Sequence, residues 1–274
     1  MADLDSVSFI GSGVMAEAMI KALLARGLVE PAAIRASGPR VERAEELASS
    51  YGVKGITDNR EAASSSRVVV LSVKPQVLSP ILSEISGSLG PDALVLSIVA
   101  GARLSTIADA LDHPAVARAM PNTPAQIGQG MTVWTASTKT PPDHRERAGA
   151  ILDAMGKEHF VEDEGYLDMA TALSGTGPTY VFLFMEALID AGVHLGFSRR
   201  VAQELVLQTM EGSVAFARQS ARHPAELRNM VTSPGGTSAE AIYQLDKGGV
   251  RTVLSRAIWA AYQKSRYLGG LSEQ

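Results

Sequence analysis

Between Val7 and Leu23 the apolar pattern changes period once, and a glycine turn marks the change. Val7 to Ile10 reads as a short apolar strand, while Met15, Ala18, Met19, Ala22 and Leu23 recur at helical spacing. The junction is Gly11-x-Gly13-x-x-Ala16. Gly11 permits a tight turn, Gly13 lets the backbone approach a pyrophosphate, and Ala16 is small enough for close helix–strand packing. Free N–H groups and the helix dipole at that point favour an anion. Glycines are common in ordinary strand–helix turns. The strand before this one and the long amphipathic helix after it make dinucleotide binding the reading adopted.

A chain of 274 residues makes one large domain or two ordinary ones. Its hydrophobic content of 46% supports a full core and excludes a disordered chain. The net charge is −4 with no basic cluster, which argues against nucleic acid and anionic membrane surfaces as partners. There is no cysteine, hence no disulfide, thiolate nucleophile or cysteine zinc site. The five histidines (His113, His144, His159, His194, His223) are scattered and form no metal-type pair, so no metal is expected. The start, Met-Ala-Asp-Leu-Asp, is acidic and unlike a signal peptide. No apolar run is expected to approach the ~20 residues needed to span a bilayer. A soluble, cytoplasmic protein is the expectation.

Strands and helices alternate through the first part of the chain. A second strand is expected over Ala33 to Ala36, where NAD-binding folds place an Asp or Glu for the ribose hydroxyls. Here Ser37-Gly-Pro-Arg40 follows, and no carboxylate appears before Glu42. Arg40 and Arg43 either hold a 2′-phosphate in a guanidinium fork or belong to a solvated turn and helix surface. The first alternative favours NADPH, with NADH as the second choice. A helix over Val41 to Ser50 and a short strand precede Asp58 or Asn59 as the next helix cap. Val68 to Val73 is a nearly continuous apolar run, as expected for a parallel strand buried on both faces. It ends at Lys74-Pro75, so Ser72, Val73, Lys74 and Pro75 should line a crevice at the carboxyl ends of the strands. Lys74 reads equally well as an exposed loop lysine.

Helix Val77 to Leu89, strand Ala93 to Val99, helix Leu104 to Leu111 and strand Ala115 to Ala119 continue the alternation. The loop Met120-Pro-Asn-Thr-Pro124 holds polar side chains between two prolines. A strand over Met131 to Thr135, a helix over Pro142 to Met155 and a strand near His159 to Val161 complete a doubly wound sheet. From Glu164 onward only helical patterns remain. A helix over Leu167 to Leu173 is expected to break at Ser174-Gly-Thr-Gly-Pro178, with Pro178 suited to the first turn of the next helix. Tyr180 to Leu195 is apolar nearly all round, apart from Glu186, Asp190 and His194. Such a helix needs cover on most sides, which predicts a dimer of intertwined helical domains. Farther on, Ser233-Pro-Gly-Gly-Thr-Ser238 precedes an amphipathic helix. It reads either as a hydroxyl-capped helix start or as an anion site for a substrate carboxylate; the paired glycines favour the second reading.

Phe9-Ile-Gly-Ser-Gly-Val-Met15, Val73-Lys-Pro75, Leu173-Ser-Gly-Thr-Gly-Pro178 and Ser233-Pro-Gly-Gly-Thr237 together resemble pyrroline-5-carboxylate reductases. The likeness spans nearly the whole chain, and the last two motifs are specific to the family. It implies an α/β protein: an N-terminal Rossmann-type doubly wound, mainly parallel sheet (residues 1–163), then an all-helical dimerisation and substrate-binding domain (164–274). It implies NADPH-dependent reduction of the cyclic imine 1-pyrroline-5-carboxylate to proline, by homodimers that often assemble into decamers. By the same resemblance, Ile10, Gly11, Ser12, Gly13, Val14 and Met15 would hold the pyrophosphate. Ser37 and Arg40 would sit at the adenosine 2′-phosphate and Asn59 at the adenosine side, while Ser72 to Pro75 and Ala100 would flank the nicotinamide half. Ser233, Gly235, Gly236, Thr237 and Ser238 would bind the substrate carboxylate. Where the family commonly has a second Thr, this chain has Ser238, which keeps the hydroxyl and loses a methyl.

The chemistry suits these residues. A protonated imine accepts hydride without a strong acid, so the protein's work is orientation and electrostatics. Ser238 is the candidate to hydrogen-bond the ring nitrogen. A related imino-acid oxidoreductase stays an alternative. β-Hydroxyacid dehydrogenases share the glycines of the broken helix but carry a Lys and an Asn where this chain has Val181 and Met185. Without that base, alcohol oxidation is disfavoured. A non-catalytic nucleotide-binding regulator would have no need of the carboxylate loop.

Overall fold

The computed structural model describes residues 4–271. The chain forms two compact units: one from the N-terminus to Gly177, joined by the chain from Ala261 onward, and one over Pro178–Ala260.

The first unit is built on an eight-stranded sheet. Its strands are β1 (Val7–Ile10), β2 (Ile34–Ser37), β3 (Lys54–Ile56), β4 (Val68–Leu71), β5 (Leu94–Ser97), β6 (Val116–Met120), β7 (Gly130–Ala136) and β8 (Gly156–Phe160). They lie in the order β3-β2-β1-β4-β5-β6-β7-β8. Neighbours run parallel except β6 and β7, which are antiparallel. The expected doubly wound, mainly parallel sheet is therefore present. Its strand order reverses at β1, with β2 on one side and β4 on the other. Such a switch point opens a crevice at the strands' carboxyl ends.

The apolar run at Val68 explains why this sheet is covered twice. Val68 and Val70 join one core with Phe9, Met19, Leu23, Leu94 and Leu96. Val69 and Leu71 join a second with Ile10, Val95, Ile107 and Val116. Alternate residues of one strand thus enter cores on opposite faces, and every residue of β4 is fully buried. Helix α1 (Val14–Ala25) covers the first face with Ala16, Met19, Ile20 and Leu23. Helices α2 (Val41–Tyr51), α3 (Asn59–Ser64), α4 (Leu78–Ile85), α5 (Leu104–Leu111) and α6 (Pro142–Asp153) follow their strands in turn. Asp58 caps α3: its carboxylate accepts from the N–H groups of Arg60 (2.8 Å) and Glu61 (3.0 Å).

The expected helix break at Ser174–Pro178 is not a break. Helix α7 (Tyr166–Ala170) passes through a π turn over Thr171–Gly175 into α8 (Gly177–His194). The Thr176 N–H donates to the Thr171 carbonyl at 2.8 Å, an i to i−5 bond, and its hydroxyl donates to the same oxygen at 2.8 Å. One extra residue is absorbed and the helix continues. The continuous stretch Tyr166–His194, 29 residues, is long and apolar enough to cross a membrane by length and composition. This corrects the expectation that no apolar run approaches that length, which followed from ending the helix at Ser174.

Helices α9 (Arg199–Ser220), α10 (Pro224–Met230) and α11 (Thr237–Lys247) lie in the second unit, and α12 (Val250–Leu271) begins there. No residue of α8 is buried in the single chain; Phe182, Leu183 and Leu188 are each at least half exposed. The end of α12 belongs to the first unit. There the Ser265 hydroxyl donates to the Asp168 carboxylate at 2.8 Å, 97 residues away in sequence and buried.

Candidate active site

The glycine loop occupies the switch point and is tied down from both sides. The Gly11 N–H donates to the Ser37 carbonyl of β2 at 3.0 Å. On the β4 side, the Ser72 N–H donates to the Ile10 carbonyl at 2.9 Å, and the Ser72 hydroxyl reaches the Gly11 carbonyl at 2.7 Å. Gly11 has φ of +104°, and a Cβ there would lie 2.8 Å from the Ser72 backbone. Only glycine permits both the turn and that approach. Gly13 caps α1 with no side-chain hydrogen bond, and a Cβ on it would meet nothing within 4 Å. The first-turn N–H groups of α1, on Val14, Met15 and Ala16, have no intrahelical partners. An open glycine, free donors and a helix N-terminus fit a pyrophosphate.

At the β2 end the structure brings Ser37 and Asn59 together. The Ser37 hydroxyl is fully buried and donates to Asn59 Oδ1 at 2.7 Å, with the Phe9 carbonyl at 3.2 Å. Asn59 Nδ2 in turn donates to Glu84 Oε2 at 2.9 Å. Arg40 is exposed at the start of α2. Arg43 is engaged within the protein. Its Nε donates to the Ser12 carbonyl at 3.0 Å, a second nitrogen pairs with Glu17, and a third lies 2.8 Å from Glu46 Oε2. Each nitrogen of its guanidinium thus has a partner within the protein.

Glu17 also accepts from the Tyr51 hydroxyl at 2.8 Å. Hydrogen bonds from Arg43 and then Tyr51 hold its carboxyl below the usual carboxylate range. The same network raises the Arg43 guanidinium and the Tyr51 phenol, through Glu17 in each case.

At the ends of β4 and β5 lie Ser72 to Pro75 and Ala100. Ser72 and Val73 are partly buried, Lys74 and Pro75 exposed, and Ala100 partly buried beside Gly101. Lys74 precedes a short 3-10 turn, Pro75–Val77.

The Ser233 loop lies in the second unit. The Gly236 N–H donates to the Ser233 carbonyl at 3.0 Å, closing a turn with Pro234 and Gly235 at its centre; Gly235 has φ of +72°. Gly236 is the N-cap of α11 and provides no side-chain hydrogen bond. Hydroxyl capping, the alternative left open above, is therefore absent. The first-turn donors of α11 are unclaimed by a capping side chain, with Thr237 and Ser238 as its first two residues.

Two clusters were not foreseen. Asn122, in the loop after β6, accepts from the Met131 N–H at 2.9 Å and donates to the Ser174 carbonyl at 3.2 Å, joining that loop to the π turn. Its position between Pro121 and Pro124 was the available signal. Arg118 on β6 is buried and donates to Glu164 Oε1 at 2.8 Å, with Asp168 Oδ1 at 3.9 Å. The same Glu164 oxygen accepts from the Leu104 N–H at 2.9 Å. A charged residue inside an apolar strand was the only sign of this cluster. Among the described residues no group of three or more His, Cys, Asp or Glu could hold a metal ion.

The family described as pyrroline-5-carboxylate reductase dimerisation matches residues 164–268. One described as NADP oxidoreductase, coenzyme F420-dependent, matches residues 6–101. The chain is 41% identical over 263 residues to pyrroline-5-carboxylate reductase of Synechocystis sp., covering 96% of this chain and 98% of the relative. It is 40% identical to that of Pseudomonas aeruginosa, covering 96% of each. Among solved structures it is similar to a Plasmodium falciparum pyrroline carboxylate reductase with NADP bound. The TM-score there is 0.90 at 29% identity, covering 98% of this chain and 99% of that one. With end-to-end likeness at this level, and the same fold from the first glycine loop to the last helix, the chain belongs to the pyrroline-5-carboxylate reductase family.

Proposed function

We propose that the chain reduces 1-pyrroline-5-carboxylate to L-proline with NADPH, the last step of proline biosynthesis. The observation that carries this reading is a second helix start capped by an extended glycine, at Gly236, in a chain whose first, at Gly13, fits a pyrophosphate. A nucleotide sensor needs only the first. Hydride and one proton add across the C=N bond, so imine, NADPH and a proton give proline and NADP⁺. When bound, the reduced nicotinamide supplies that hydride.

The residues of the chain bind and orient. The Ile10–Met15 loop holds the pyrophosphate. Arg40 supplies the cation for a 2′-phosphate, and Ser37 acts by holding Asn59 rather than by offering its buried hydroxyl. The missing carboxylate at the end of β2 favours NADPH, with NADH as the weaker cofactor. Ser72 to Pro75 and Ala100 flank the nicotinamide half. Ser233, Gly235, Gly236 and Thr237 receive the substrate carboxylate, and the Ser238 hydroxyl hydrogen-bonds the ring nitrogen.

Residues 1–163 then form the dinucleotide-binding part, and 164–274 the dimerisation and substrate-binding part. The exposed apolar face of α8 is covered by a second copy of the chain rather than by lipid, giving a homodimer or a decamer built from such dimers. The enzyme is placed in the cytoplasm. Its net charge of −4 supports neither nucleic acid nor anionic membrane as a partner.

The test is NADPH oxidation on adding pyrroline-5-carboxylate. Saturable oxidation supports the reading. No oxidation, with hydroxy acids supporting NADP reduction instead, overturns it.

A further inference from the structure

We infer that Arg43 is a positioning residue for the pyrophosphate loop, setting the direction of its amide groups, and that it does not read the 2′-phosphate. The inference rests on the dinucleotide reading above.

In a trans peptide the C=O and the next N–H point in opposite directions within one plane. Fixing a carbonyl therefore fixes the following N–H. The Ser72 hydroxyl, 2.7 Å from the Gly11 carbonyl, fixes the Gly11–Ser12 peptide and the Ser12 N–H. Arg43 Nε, 3.0 Å from the Ser12 carbonyl, does the same for the Ser12–Gly13 peptide and the Gly13 N–H. Gly13 has no neighbour within 4 Å of a Cβ position, so local packing does not restrain it there. Arg43 restrains that peptide through the Ser12 carbonyl.

The guanidinium is itself held. Glu17 takes one nitrogen and Glu46 another, and only 11% of the Arg43 side chain is exposed. Tyr51 fixes the other Glu17 oxygen at 2.8 Å. Glu17 stands in the first turn of α1, beside the anion cradle, where its negative charge opposes a pyrophosphate. Pairing with Arg43 offsets that charge. Arg43 therefore aims one amide and neutralises one carboxylate, and both effects act on the pyrophosphate common to NADPH and NADH. A residue at the 2′-phosphate would act on NADPH alone.

Direct binding separates these roles without turnover. NADPH and NADH are titrated separately by nucleotide fluorescence into wild-type, Arg43→Met and Arg40→Ala protein. A charge-assisted hydrogen bond lost from the loop should raise the Kd of Arg43→Met about tenfold for both nucleotides. Arg40→Ala should raise Kd for NADPH alone. An unchanged Kd in Arg43→Met, with or without a lower Tm, makes Arg43 merely structural and overturns the inference. A rise confined to NADPH makes it a 2′-phosphate ligand and overturns it equally. If Arg43→Met does not fold, Arg43→Lys keeps the charge that offsets Glu17 and removes the planar fork that spans Ser12, Glu17 and Glu46. A parallel rise of about threefold for both nucleotides supports the role, and no change overturns it. Wild-type protein that binds neither nucleotide contradicts the dinucleotide reading itself, a result distinct from these.

Discussion

The Ser72 hydroxyl donates to the Gly11 carbonyl at 2.7 Å, joining the loops after β4 and β1 across 61 residues of chain. Gly11 makes that approach possible, since a Cβ would sit 2.8 Å from the Ser72 carbonyl carbon and oxygen at a φ of +104°. Gly11→Ala should destabilise the protein by about 2–3 kcal/mol in urea unfolding, from backbone strain and the displaced strand end. It should also weaken NADPH binding. A stability within about 0.5 kcal/mol of wild type would show that the switch point tolerates separation.

Ser238 is half-buried in the first turn of α11, where no side chain caps the helix. Its proposed bond to the imine nitrogen strengthens as the nitrogen gains electron density. Ser238→Ala should lower kcat about 10- to 100-fold, the loss of one well-placed hydrogen bond, with little change in KM for NADPH. Ser238→Thr should retain activity. An unchanged kcat in the alanine variant removes Ser238 from catalysis.

Arg118 is only 3% exposed, and it faces Glu164 and Asp168 with its charge. Arg118→Met keeps the stem and leaves both carboxylates without that cation. A cost of about 3–5 kcal/mol is expected in urea unfolding at neutral pH, because a broken buried pair strands the partner's charge. Arg118→Lys, which keeps a cation facing the two carboxylates, should recover part of that cost. An Arg118→Lys variant as unstable as Arg118→Met would mean that packing, not charge, explains it.

Glu17 titrates below its usual value in the fold because Arg43 and Tyr51 donate to its ionised form. A carboxylate depressed on folding contributes stability above its unfolded pKa, and loses it as pH falls through the folded value. The stability difference between wild type and Glu17→Gln should therefore be full at pH 6 and narrow steadily below pH of about 4.5. Parallel stability curves from pH 6 to 3 would contradict the pairing.

Much of the architecture was legible because it rests on local signals. Val68 to Leu71 had to be apolar throughout to be buried on both faces, and that run is visible without a structure. Gly11 marks a backbone conformation closed to other residues, so its meaning is also local. The π turn was not legible: Gly175, Gly177 and Pro178 are all stop signals, and only the i to i−5 bond of Thr176 shows the helix running on. The partners of Arg43 were not legible because a helix-surface arginine looks alike whether it meets a ligand or a neighbouring helix. Its partners Ser12 and Glu17 lie 31 and 26 residues away. Arg118 was hidden for the same reason, with Glu164 46 residues distant. Residues that act through long-range pairs are fixed by topology, which pattern alone does not supply.

The central claim is that hydride passes from the dinucleotide to the imine carbon of a ring whose carboxylate is held elsewhere. NADPH deuterated at both C4 positions, incubated with enzyme and pyrroline-5-carboxylate, tests it directly. Proline carrying one deuterium, on the ring carbon bonded to nitrogen and remote from the carboxylate, is the predicted product. Unlabelled proline, or no proline while NADPH binds, would contradict the account.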